Sequence, residues 1–165
     1  MAICQMRPRN IQSTAICVAM SKDNGHLALG SGKKNGNRSS IIVHSIDTET
    51  VAYEVDAGRI SGLCYLPNGS LVACGGNGWD QGMLKVFSPS LKLVQTLVGH
   101  VGSVGCVTVS PSGSHFASGG HDKKLMIWSE PREGDEWARV QVLEDHTDDI
   151  YAVCFSPDGK QLATG

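Results

Sequence analysis

One short turn recurs along this chain and constrains its fold more than any other feature. Ser156-Pro157-Asp158-Gly159, Ser110-Pro111-Ser112-Gly113 and Leu66-Pro67-Asn68-Gly69 lie 46 and 44 residues apart, and Ser21-Lys22-Asp23-Asn24-Gly25 is a fourth, degenerate copy. Each copy follows an alternating apolar run (residues 150–155, 104–109, 60–65 and 15–20) and precedes a second short one (161–164, 115–118, 71–74 and 26–29). A run, a polar turn with Pro or Gly, and a second run make a β-hairpin. Self-similarity at such a period marks a repeat architecture, in which each unit buries its apolar faces only by stacking on its neighbours.

Two further runs complete each unit: residues 41–44, 84–87 and 125–128, then 51–55, 93–97 and 137–143. Four strands in about 44 residues predict an all-β fold, a β-propeller built of four-stranded antiparallel blades. The 20 glycines supply the turns such a fold needs, and no segment competes as a long helix.

The six cysteines point to packing rather than chemistry. Cys17, Cys64, Cys106 and Cys154 fall in the first run of successive units and Cys74 in a second run. They read as small buried hydrophobes of a reducing compartment. No Cys-x-x-Cys pair occurs, so neither a zinc site nor another metal or cofactor is expected. The first nine residues lack the apolar core of a signal peptide and no later run could span a bilayer, which predicts an intracellular protein, cytoplasmic or nuclear. A net charge of -2 gives no general attraction to nucleic acid or to membranes.

The most specific stretch is Gly99-His100, then Ser118-Gly119-Gly120-His121-Asp122, then Leu125-Met126-Ile127-Trp128. This spacing resembles a complete repeat of the WD-repeat (WD40) family, and the resemblance extends over residues 11–165. It implies a structural tetrad of His100, Ser118, Asp122 and Trp128, hydrogen bonded from the indole through Ser and His to Asp. It also implies a partial tetrad of His146 and Thr164 in the fourth unit. The first two units depart from the pattern. Unit two has Asp56, Cys74 and Phe87 at the His, Ser and Trp places, and unit one has Ile11, Leu29 and His44. The expected organisation is an extension at 1–10, degenerate blades at 11–56 and 57–99, a blade with the full tetrad at 100–145, and half a blade at 146–165. Three blades and an incomplete fourth lead us to expect a fragment of a larger ring.

Ser118, His100 and Asp122 are also the residue types of a hydrolase triad. A nucleophile needs an exposed, strained position beside an oxyanion hole, whereas Ser118 alternates within a predicted strand and shows no elbow pattern. The reading is therefore not of an enzyme. The resemblance implies a non-catalytic scaffold for protein–protein interaction in a multiprotein complex, engaging a protein or peptide partner through exposed loops. Candidate partner-binding residues are Trp79 and Asp80 in a glycine-rich loop, Lys33, Lys34 and Arg38 in a long basic loop, and His121 and Lys123 in the turn after Ser118. Two other readings stay open: the regulatory propeller of a longer enzyme, and a component of an RNA-processing or ribosome-assembly particle. Against the latter, the loop at 130–136 is net acidic.

Overall fold

Side chains that alternate between two faces can be buried on both only if each sheet lies between two others. The structure, a computed structural model that describes residues 13–33, 39–48, 50–76, 82–130 and 136–165, meets that condition at its second and third sheets. Strands β1 (Ser13–Met20), β2 (His26–Lys33), β3 (Ser39–Ser45) and β4 (Thr50–Gly58) form a first sheet. Strands β5 (Ile60–Tyr65), β6 (Leu71–Gly76), β7 (Gly82–Phe87) and β8 (Leu93–Leu97) form a second. The third contains β9 (Val104–Val109), β10 (His115–Gly120), β11 (Leu125–Ser129) and β12 (Ala138–Leu143), and β13 (Val153–Phe155) with β14 (Leu162–Thr164) makes a two-stranded fourth. All neighbours are antiparallel and in chain order, so each sheet is a meander, in agreement with the predicted all-β architecture. The runs expected at 137–143 and 150–155 are shorter as strands: Trp137 and residues 150–152 lie just outside them. The first strands β1, β5, β9 and β13 contact one another in succession, which puts them at the inner edge and β4, β8 and β12 at the outer.

The core lies between the sheets. Ala28, Ile41 and Val43 of the first sheet meet Leu71, Ala73 and Phe87 of the second. From the opposite face of the second sheet, Val72, Cys74, Leu84 and Val86 meet Phe116, Met126 and Trp128 of the third. Ala117 and Leu125 then meet Ile150, with Val153, Phe155 and Leu162 alongside. Full burial of side chains of this size is worth about 1.5–3 kcal/mol each, so these junctions dominate the stability. At the second junction Trp137 tilts against Phe116 at 4.8 Å between ring centroids. The Gln95 amide of β8 then donates to the Trp137 carbonyl and accepts from the Trp137 N–H, both at 2.9 Å, clipping the outer edges of two sheets together.

The register explains the cysteines. Cys17 stands opposite Gly30 and Cys106 opposite Gly119, and a Cβ on either glycine would collide with the facing sulfur. In the second sheet the pair is reversed: Gly62 on the first strand faces Cys74 on the second, whose Sγ would lie 2.8 Å from a Gly62 Cβ. One sulfur thus fills one missing side chain in three successive sheets. Burial pushes Cys17 up to about 11 and Cys64 to about 12, from an ordinary 9.0, and holds Cys74 far above it as well. The unfolded chain releases these protons from pH 9 upward while the folded chain retains them. Stability is therefore full below pH 9 and falls as pH rises through about 11 to 12.

Two outcomes follow. A melting series from pH 8 to 11 should show the decline beginning near 9, and an iodoacetamide pulse read by mass spectrometry should alkylate exposed Cys154 well before buried Cys74. In urea titrations, Gly62→Cys and Cys74→Gly should each cost about 1–3 kcal/mol, through overpacking and a cavity respectively. The double variant, which restores the arrangement of the neighbouring sheets, should recover at least half of the summed loss.

Candidate functional site

The polar centre of the third sheet forms where β10, the turn after it and the loop before β9 come together. Trp128, 2% exposed, brings its indole N–H to the Ser118 Oγ at 2.9 Å, beneath a Phe116 ring stacked at 6.0 Å. Ser118, with no exposed surface, lies 2.8 Å from His100 Nε2. His100 Nδ1 is 2.9 and 3.0 Å from the two Asp122 oxygens. Asp122 can only accept, so His100 Nδ1 donates to it, and in that neutral tautomer Nε2 takes the Ser118 proton while the same hydroxyl oxygen accepts from the indole. The carboxylate also accepts from the Val101 N–H at 2.9 Å and the Lys124 N–H at 3.3 Å, so it is buried with its oxygens satisfied. Gly120 makes room for this centre: a Cβ there would lie 2.6 Å from both His100 Nδ1 and Asp122 Oδ1.

This arrangement cannot act as a nucleophile–base pair. Ser118 Oγ is sealed under Trp128 and engaged on both sides, so no carbonyl carbon can reach it. In the two-stranded sheet His146 Nε2 and Thr164 Oγ1 are 2.7 Å apart, the same contact one unit later.

The other units differ from the sequence assignment at one position. Leu71 pairs with Phe87 as Phe116 pairs with Trp128, which puts Phe87 at the Trp place and Ala73, not Cys74, at the Ser place. The cause is a turn one residue shorter: Leu66 N–H bonds to the Ser70 carbonyl, whereas Ser110 N–H bonds to that of His115. A slip of one residue turns a strand side chain to the opposite face, so Cys74 faces the third sheet instead of the first. With Ala73 there is no hydroxyl for a tetrad. In the first unit Leu29 and His44 occupy the Ser and Trp places, and the buried His44 Nε2 has no hydrogen-bond partner among the described residues. Asp56 lies on β4, and Ile11 lies outside the described residues.

Of the candidate partner-binding residues, His121 and Lys123 share the β10–β11 turn at the tetrad end of the third sheet. His121 N–H bonds to the Ser103 carbonyl, and its ring lies 3.5 Å from Asp149 Oδ2 and 5.5 Å from the Tyr151 ring. Lys123, in the left-handed region at φ 63, extends its ammonium to the Thr147 carbonyl at 2.8 Å. Lys33 ends β2, while Trp79, Asp80, Lys34 and Arg38 lie outside the described residues. Sequence reasoning missed Tyr151, which sits inside an alternating apolar run yet is 67% exposed in the loop before β13. Its hydroxyl donates to Asp149 at 3.3 Å, and that carboxylate pushes the phenol above its ordinary range. Val98 and Val101, 87% and 69% exposed, were missed for the converse reason, as valines beside a strand end.

Residues 91–129 and 137–165 match the family described as WD domain, G-beta repeat. Human Protein HIRA is 29% identical over 126 residues, covering 59% of this chain and 12% of that protein, and mouse Protein HIRA matches with the same figures. A chain in the crystal structure of a mitotic checkpoint complex superposes with a TM-score of 0.77 at 21% identity, covering 95% of this chain and 45% of that one. The chain thus spans about an eighth of the length of these curated relatives.

Ser118→Ala would leave both the indole N–H and His100 Nε2 buried without a partner. It should lower stability by about 1–3 kcal/mol per orphaned group. In the Trp128→Phe background, where no indole N–H exists, the same substitution should cost measurably less in urea denaturation.

Proposed function

We propose that this chain, similar to the WD-repeat family over residues 91–129 and 137–165, serves as a non-catalytic scaffold that holds a protein or peptide partner within a larger assembly. One observation carries the reading. At the tetrad end the loop before β9, the β10–β11 turn and the loop before β13 are tied side by side. The ties are the Ser103–His121, Gly120–Ile150 and Lys123–Thr147 bonds. This fixed platform presents the side chains of Val98, Val101 and Tyr151 to solvent beside exposed Lys123. Apolar anchors with a polar rim, held rigid before binding, are what a protein interface requires. Trp79, Asp80, Lys33, Lys34 and Arg38 extend this surface in our reading, since their loops lead to the same end of the first two sheets.

A solved chain of the same fold works inside a checkpoint complex, and we carry that mode of use, not its partners, to this protein. No described helix is long and apolar enough to cross a membrane. The thiols at Cys17, Cys64, Cys74, Cys106 and Cys154 support an intracellular setting, cytoplasmic or nuclear.

Proximity labelling from the full chain in cells, compared with a Val98→Asp/Tyr151→Asp variant, tests the platform. Partners that depend on it should lose roughly tenfold or more of their signal, the scale of losing a hot-spot residue. Lys160→Glu, at the opposite end, should leave them unchanged. Partner profiles identical in all three proteins would refute the platform.

A further inference from the structure

The loop between β12 and β13 holds one aromatic ring in place before any partner arrives. Ile150 is fully buried, and its N–H bonds to the Gly120 carbonyl. The Tyr151 and Ala152 N–H groups both bond to the Gly165 carbonyl. The backbone is thus pinned around Tyr151, whose ring lies 5.5 Å from that of His121 and whose hydroxyl donates to Asp149 at 3.3 Å. Even so, Tyr151 is 67% exposed. The charge beside it is net negative. Residues 144–149 carry four carboxylates, Glu144, Asp145, Asp148 and Asp149, against Lys123 and Lys124 of the neighbouring turn. Lys124 pairs with Glu144 at 2.6 Å, and the Lys123 ammonium donates to the Thr147 carbonyl at 2.8 Å. Asp149 faces His121 and the Tyr151 hydroxyl. Among the described residues, Asp148 accepts from the Asp149 N–H alone and Asp145 makes no ion pair. Asp149, and after it Asp148, hold the phenol above its ordinary range, with no described cation offsetting them.

We propose that this end of the platform takes an arginine of the partner, its guanidinium laid on the Tyr151 ring and bonded to Asp148. The inference rests on the platform reading above and adds the partner's chemistry to it. A guanidinium is planar, so it stacks on an aromatic face, and its forked N–H groups match a carboxylate two at a time. A lysine ammonium answers the charge without either of those geometries. An acidic segment would be repelled by the same carboxylates, which makes the site selective as well as attractive. Because Tyr151 is already fixed by its backbone bonds, His121 and Asp149, little side-chain freedom is left to lose on binding. The exposed Val98 and Val101 of the loop before β9 accept apolar side chains flanking the arginine.

The test uses the full chain labelled with ¹⁵N and three acetylated, amidated pentapeptides: Ala-Val-Arg-Val-Ala, its counterpart with lysine for arginine, and its counterpart with citrulline, which keeps the shape of arginine without the charge. The first should shift the amides of Asp148, Asp149, Tyr151 and Ala152. The lysine peptide should bind roughly threefold more weakly and the citrulline peptide roughly tenfold. Asp148→Asn, a change at an exposed position, should remove most of the preference for arginine over citrulline. Equal response to arginine and either counterpart, no response to any peptide, or an undiminished preference in the Asp148→Asn chain would overturn the proposal. In cells, Asp145→Asn/Asp148→Asn leaves Val98, Val101 and Tyr151 in place and should lose the same labelled partners as Val98→Asp/Tyr151→Asp. Partners lost from the latter but kept by the former would overturn the arginine assignment and leave the platform standing, whereas partners kept by both would overturn the two together.

Discussion

Strand alternation governs this molecule because its second and third sheets have no solvent face to spare. Along β6, Leu71 and Ala73 go to the first sheet while Val72 and Cys74 go to the third, and all four are buried. A strand of this kind is committed twice, and its register is fixed from both sides at once. The cross-strand Cys–Gly pairs show how tightly that commitment is enforced. The space between inner strands admits one sulfur, and Gly62 with Cys74 fills it as well as Cys106 with Gly119, although the two residues have exchanged strands.

The buried polar centre is a specialisation of that packing. In the third sheet it satisfies an indole N–H, an imidazole and a carboxylate together, while the second sheet reaches similar burial with Ala73, Leu71 and Phe87 and shows no such network among the described residues. Fully connected polar groups specify one arrangement, and an apolar junction tolerates more of them. In the third sheet the network also ties the leading loop to the β10–β11 turn, through the Val101 N–H and His100 on the Asp122 carboxylate.

Much of this was legible in the sequence, for a physical reason. Repeated Pro-Gly turns between alternating runs leave few alternatives to stacked meanders, and the spacing of His100, Ser118, Asp122 and Trp128 reads directly as side chains that meet. The Ala73 position was not legible, because a turn shortened by one residue leaves the apolar pattern intact while reversing which face each residue takes. Tyr151 was hidden in the same way by a run that looks like strand but leaves the sheet before Val153.

The clip between Gln95 and the Trp137 backbone has a mechanical side. Sheets that meet along their first strands behave as leaves hinged at the inner edge, and any opening motion is widest at β8 and β12. Two hydrogen bonds placed out there act on the longest lever arm available. The second and third sheets should therefore swing as one stiff leaf.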